Sequence, residues 1–264
     1  MEKLPIEFSL EDLLKGKATS IKGKEYLPTE GYVTPFLERV SKLTSDIRVH
    51  AKLPDQLTYN DRGDIDTANI TFNRVWLEAV LPHEYQYENH QQVIGMVYGL
   101  DTRKAIIKFY SGALNAACTN LCVFNPDSLV VREIEPEQPV NYKPVMELVE
   151  QTVEIGTTLR MFHNTEFDYT DPLFVNEKLG RWVRNCMTCS FDNGFGKVKL
   201  ATSTPIDAYK LMFDKQDSPY YLNANNANMF NVYNAFTQII TDSTKKDVMN
   251  QVEKTLLVND ILMR

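Results

Sequence analysis

The stretch QVIGMVYGLDTRKAIIKFY, residues 92–110, decides the fold class. Two runs rich in β-branched and aromatic residues, 92–100 and 104–110, flank the turn-forming step Gly99-Leu100-Asp101-Thr102. Each run has the length of a strand, and consecutive strands with short joints favour an antiparallel meander.

Working outward toward the N-terminus, residues 70–81 read as another strand. It is fed by a hairpin loop over 58–69, with the turn cluster Asn60-Asp61-Arg62-Gly63-Asp64. IRVHAKL, residues 47–53, alternates apolar and polar in the strand manner. Val33, Phe36, Leu37 and Val40 share one face of a helix expected over 32–43. Ser9 and Asp12 resemble a capping box at the start of a short helix over 7–16.

Toward the C-terminus the pattern changes. Leu114, Ala117, Cys118, Leu121 and Cys122 recur at threes and fours, which predicts a helix after Gly112. A strand over 128–134 follows, then a proline-bearing linker at 136–144. Helices are expected over 145–162, 173–186, 205–213 and 228–241, with a turn or short strand at 194–200. The helix at 228–241 carries Met229, Val232, Tyr233, Phe236, Ile239 and Ile240 on one face. A last amphipathic helix over 245–263 has Val248, Val252, Leu256, Ile261 and Leu262 as its apolar members. The expected fold is therefore α+β, with an antiparallel sheet packed with helices in the N-terminal half and a more helical C-terminal half. One domain, 1–264, is expected, with a sub-boundary near 136–144 between a sheet-rich part, 1–135, and a helix-rich part, 145–264.

Composition agrees with a folded chain: 43% of residues are hydrophobic and 24% charged. No run approaches the ~20 apolar residues of a membrane span. The N-terminus lacks the basic and apolar regions of a secretory signal. The expected location is the cytoplasm, with no membrane partner. The net charge is −7, yet residues 178–199 hold five cations (Lys178, Arg181, Arg184, Lys197 and Lys199) and a single acid, Asp192.

Catalytic patterns are missing. There is no GxSxG elbow, no Walker loop, no GxGxxG and no HExxH, so no enzyme, catalytic residue or cofactor is expected. Cys118 and Cys122, with Cys186 and Cys189, have the arithmetic of a zinc site. Buried thiols in a reducing compartment are the preferred reading. His83 and His90 with Glu84 and Glu88 read as a solvated polar turn rather than a metal cluster. Asp168 and Asp171 read as turn formers.

Single-stranded nucleic acid is held by cations that track phosphates and by aromatic faces that stack on bases. Phe72, Arg74 and Trp76 alternate onto one strand face. Arg103 and Lys104 stand at a strand entrance, and Lys108 and Tyr110 share one face of that strand. Arg181, Trp182 and Arg184 lie in the basic island with Lys178, Lys197 and Lys199. These thirteen residues form the expected nucleic-acid-binding set. Core packing is the competing reading for Trp76 and Trp182.

The runs Tyr98-Gly99-Leu100-Asp101-Thr102 and Gly112-Ala113-Leu114-Asn115-Ala116-Ala117-Cys118-Thr119-Asn120-Leu121-Cys122-Val123 resemble a large phage/plasmid-like domain family of unknown function. In that family a short turn precedes a strand, and a helix carries a Cys-x-Asn-x-hydrophobic segment. Asn234-Ala235-Phe236-Thr237 is similar to its closing helix. Within that family, size and layout resemble the single-stranded DNA-binding proteins of lytic podophages that carry a virion RNA polymerase. The resemblance implies single-stranded DNA as the partner, in replication and recombination within the host-cell cytoplasm. It also implies activation of late transcription through host RNA polymerase, with Lys254 and Arg264 as partner-binding residues. The chain ends Leu262-Met263-Arg264, with one base where that group has a basic cluster. The alternative is a phage protein-interaction factor that inhibits or redirects a host complex. It would use the helix at 245–263 and the acidic stretch 133–154, which holds six Glu and one Lys.

Overall fold

In a computed structural model, residues 20–21, 24–25, 34–52, 74–82, 90–101, 104–115, 121–123, 129–133, 152–194, 196–244 and 251–264 are described. They form strands β1 (Ser20–Ile21) and β2 (Lys24–Glu25), helix α1 (Thr34–Val40), and strands β3 (Ile47–Lys52), β4 (Arg74–Val80), β5 (His90–Asp101), β6 (Lys104–Asn115), β7 (Leu121–Cys122) and β8 (Leu129–Glu133). Helices α2 (Thr152–Asn164) and α3 (Pro172–Thr188) follow, then strands β9 (Phe191–Asp192) and β10 (Lys197–Val198). Helices α4 (Ser203–Tyr209), α5 (Met229–Thr244) and α6 (Gln251–Met263) complete the chain. The class is α+β, with the antiparallel sheet in the N-terminal half and a helical C-terminal region. The expected helix at 7–16, the loop at 58–69, the segment 83–89, Cys118, the linker at 136–144, and residues 145–151 and 245–250 lie outside the described residues.

The chain groups into two compact units. Unit 1 comprises Met1–Glu84, Val93–Ser111 and Leu129–Glu150; unit 2 comprises Tyr85–Gln92, Gly112–Ser128 and Gln151–Arg264. The division is thus not a single cut near 136–144. Residues 112–122 were expected to go with the sheet-rich part, but β7 packs on α5 and α6 and goes with the helices.

In unit 1, β3, β4 and β5 pair antiparallel in that order, with Glu78 opposite both Arg48 and Gly95. β8 pairs antiparallel with β6, Lys108 opposite Val131. Every residue from Val93 to Val97 is buried, as is every residue from Leu77 to Leu81. Strands buried on both faces read as continuous apolar runs, which is why residues 92–110 look so uniformly hydrophobic. Phe36, Leu37 and Val40 of α1 are buried as expected, with the Phe36 ring 5.8 Å from that of Phe109.

Unit 2 is built around α5, which packs against α2, α4 and α6. Val232 to Thr237 are all buried, so α5 buries more than the single face its apolar spacing predicts. An aromatic cluster fills the space beside it. The Trp182 ring stacks 5.9 Å from Phe167 and meets Phe236 edge-on at 5.4 Å, while Phe162 stacks on Tyr233 at 5.3 Å. Helix α4 runs into a π-helical turn, Lys210–Asp214, where Tyr209 stacks on Phe213 at 4.6 Å.

Two expected elements are corrected. No helix begins at Gly112: β6 continues to Asn115, and Ala113 and Leu114 pair antiparallel with Cys122 and Leu121. The spacing of threes and fours spanned a chain reversal, so cross-strand partners looked like one helical stripe. The C-terminal helix is not amphipathic. Gln251, Val252, Glu253, Thr255, Leu256, Leu257, Val258, Ile261 and Leu262 of α6 are all buried, because α3, α5, β7 and β9 pack around it. A helix covered over most of its surface shows no polar face, and Asp260 and Met263 near its C-terminus are its exposed members. Its polar members are absorbed locally: the Thr255 hydroxyl donates back to the carbonyls of Gln251 and Val252 at 3.1 and 2.8 Å.

Candidate nucleic-acid interface

Helix α3 starts where Asp171 accepts a hydrogen bond from Leu173 N at 2.9 Å and Pro172 takes the first helical position. Both are favoured at a helix N-terminus. Asp168 shapes the preceding turn, accepting from Thr170 N, the Thr170 hydroxyl and Asp171 N. The Thr170 bonds lead in holding its carboxyl below the ordinary carboxylate range. Asp168 and Asp171 are turn formers, as their setting predicts.

Val175, Trp182 and Cys186 point α3 into the core. Lys178, Arg181 and Arg184, three residues apart, form an oblique row that starts beside that buried face and ends on the opposite side of the helix. The Lys178 ammonium lies 5.3 Å from the centre of the Phe174 ring, and Arg181 pairs with Glu177 at 2.8 Å. Arg184 is exposed.

The helix ends at Cys189, and the hairpin β9–β10 follows at once. Lys197 stands opposite Asp192, and Lys197 and Lys199 are both exposed. The turn depends on Gly194, whose φ of 83° is a conformation that side chains disfavour. Gly194 N donates to Asp192 Oδ1 and Gly196 N to Asn193 Oδ1, each at 3.0 Å. Two asparagines join this surface to α6. Asn185 Nδ2 donates to Ile261 O at 2.9 Å, and Asn193 Nδ2 to Glu253 Oε1 at 3.0 Å. Sequence reading missed Asn185, Asn193 and Glu253 as supporting residues. The turn or short strand expected at 194–200 falls on this hairpin, but nothing in the sequence pairs 193 with 253.

Other expected contacts fall elsewhere. Trp182 is 1% exposed, so its indole is a core group and is withdrawn as a stacking surface. Lys108 and Tyr110 share a face of β6 but are 2% and 0% exposed, so neither reaches a ligand. The Tyr110 hydroxyl instead donates to Glu78 Oε1 at 2.8 Å. Burial pushes the Glu78 carboxyl up to about 7, opposed by the Tyr110 bond and the charge of Arg48. Arg74 and Trp76 stand in β4 and Lys104 opens β6, with their side chains outside the described residues, as are Phe72 and Arg103 altogether. Lys254 is half-buried on α6, and Arg264 is exposed and paired with Asp260 at 3.6 Å. Of the C-terminal helix expected at 245–263, the described part, Gln251–Met263, is largely buried.

His90 is not in a solvated turn. It is buried in β5, edge-on to Phe230 at 5.0 Å and beside Asn234. Burial lowers its pKa to about 4, with Asn234 acting in the opposite direction. Cys122, Cys186 and Cys189 are buried, and burial pushes the Cys186 thiol up to about 11, with Cys189 adding to the effect. Among the described residues no three His, Cys, Asp or Glu side chains gather to hold a metal, and no helix is long and apolar enough to cross a membrane. Comparison with protein-family models, with curated proteins and with solved structures finds no match for this chain.

Proposed function

We propose that this chain binds single-stranded DNA, holding its phosphates with Lys178, Arg181, Arg184, Lys197 and Lys199. One observation carries the reading. A chain of net charge −7 gathers five cations and one acid within residues 178–199, on a helix and hairpin that leave Arg184, Lys197 and Lys199 exposed. The resemblance to phage single-stranded DNA-binding proteins supports the choice of ligand and a role in replication and recombination in the host cytoplasm. A link to late transcription through host RNA polymerase would rest on Lys254 and Arg264 alone.

Binding here is led by phosphates. Trp182, next to Arg181 in sequence, is buried in the core, Phe174 and Phe191 are half-buried against it, and Phe195 lies outside the described residues. Stacking contributes about 1–3 kcal/mol per base where it operates, so base preference is expected to be slight. Neutralising three to five phosphates gives a log–log salt slope of about −2 to −3.5. Fluorescence anisotropy on a labelled dT oligomer, with a duplex of equal length as competitor, measures both. R184E/K197E/K199E is expected to abolish binding while leaving the thermal transition in place. Absence of binding by the parent chain at low salt would sink the reading.

A further inference from the structure

The hairpin carrying Lys197 is only two residues long on each strand, and such a pair is marginal on its own. Asn193 supplies the connection it needs. Its Oδ1 accepts from Gly196 N within the turn, and its Nδ2 donates to Glu253 Oε1, 60 residues further along the chain. Glu253 is 0% exposed, on a helix enclosed by its neighbours. We infer that Glu253, acting through Asn193, is a positioning residue that fixes the cationic hairpin relative to Arg184 on α3.

The last turns of α3 are tied to the same helix by Asn185 and Ile261 O, so α6 is the common reference for both cation-bearing elements. A carboxyl in the interior would be a poor choice if apolar packing alone were needed there, since burying it costs free energy unless it is hydrogen-bonded. Pointed at the Asn193 amide, it accepts one strong bond and sets the direction of the turn. Asp192 and Lys197 are the other ionisable groups on the hairpin, and Lys254 and Asp260 flank Glu253 along α6. Asp192 Oδ1 is already engaged with Gly194 N. The role in DNA binding rests on the reading proposed above; the positioning of the hairpin does not.

The test uses the full chain with N193D. It sets two carboxyls at hydrogen-bond distance, where they must share a proton or separate. At pH 8 the Gly194 and Gly196 amides are expected to lose about tenfold in hydrogen-exchange protection, with dT-oligomer affinity falling alongside. At pH 5.5 a shared proton restores the bond and both quantities recover. N193A loses protection equally at both pH values. N193D/E253Q exchanges donor and acceptor, so the introduced carboxylate accepts from the introduced amide and protection returns at pH 8. Parent-like exchange of N193D at pH 8, or a loss that neither acid nor the double variant repairs, overturns the inference. Exchange that follows this pattern in a parent chain that binds no oligomer supports the positioning and rejects the DNA reading. Exchange that follows it while affinity stays constant rejects the role in binding.

Discussion

Gly95 shows how one absent side chain organises unit 1. It lies on β5 opposite Glu78, and a Cβ there would overlap the Tyr110 ring, which crosses over it to reach the Glu78 carboxyl. Gly95→Ala therefore forces the ring away and is expected to cost about 1–3 kcal/mol by overpacking. Tyr110→Phe keeps the ring but removes the donor to a buried carboxyl, for a comparable loss of about 1–3 kcal/mol. Chemical denaturation measures both, and a neutral Gly95→Ala would show that the ring has another place to go. Trp182 poses the opposite question, because tryptophan serves equally well in a core or on a DNA-stacking surface. With Phe167 and Phe236 around it, Trp182→Ala is expected to cost about 3–5 kcal/mol. Anisotropy below the lowered melting temperature should find oligomer affinity unchanged; lost affinity at parental stability would return the indole to the binding surface.

The elements differ in how much of them the sequence reveals, and α6 is the instructive case. Its enclosure predicts that Leu257→Ala costs about 2–5 kcal/mol, whereas Asp260→Ala, at an exposed position, stays within about 0.5 kcal/mol. An amphipathic surface helix would tolerate changes around half its circumference, so a denaturation scan of α6 separates the two descriptions. Helices α1, α3 and α5 and strand β3 were legible because their signals are local: an apolar period or an alternation needs only its own residues. The pairing of β6 with β7 was not, since Leu114 opposite Leu121 in an antiparallel pair has the same spacing as two turns of helix. Gln251, Glu253 and Thr255 look solvent-facing by composition and are buried only because other elements close over them. The candidate site was half legible for the same reason. Clustered charge is visible along the chain, and Lys178, Arg181, Arg184, Lys197 and Lys199 fall on one continuous helix–hairpin segment. Burial is not visible, so Lys108, Tyr110 and Trp182 were indistinguishable from surface contacts. The Asn193–Glu253 bond spans too much sequence to leave any local mark.

Across the whole molecule, the two units carry buried titrating groups of opposite sign. In unit 1 the folded state holds a proton on Glu78 up to about pH 7, against 4.5 for the ordinary carboxyl. The folded state thus binds more protons than the unfolded one between those values, and stability contributed there falls as pH rises from 4.5 to 7. In unit 2 the folded state keeps His90 neutral down to about pH 4, against 6.5 for the ordinary imidazole. There the unfolded state binds more protons, and stability falls as pH drops from 6.5 toward 4. At about 1.4 kcal/mol per pKa unit, each group shifts stability by roughly 3–4 kcal/mol across its own window. Native-state hydrogen exchange, corrected for intrinsic rates and read on β4 for unit 1 and on α5 for unit 2, resolves the two. Glu78→Gln is expected to flatten the rise in β4 protection on acidification and leave α5 as it was. His90→Asn is expected to flatten the acid loss in α5 and leave β4 as it was. The two windows overlap between pH 4.5 and 6.5, so there the terms oppose and largely offset each other in any measurement that averages the chain. A flat overall pH profile that splits into opposed slopes unit by unit is the expected signature. Parallel slopes in β4 and α5, insensitive to either substitution, would show that neither buried group governs the stability of its unit.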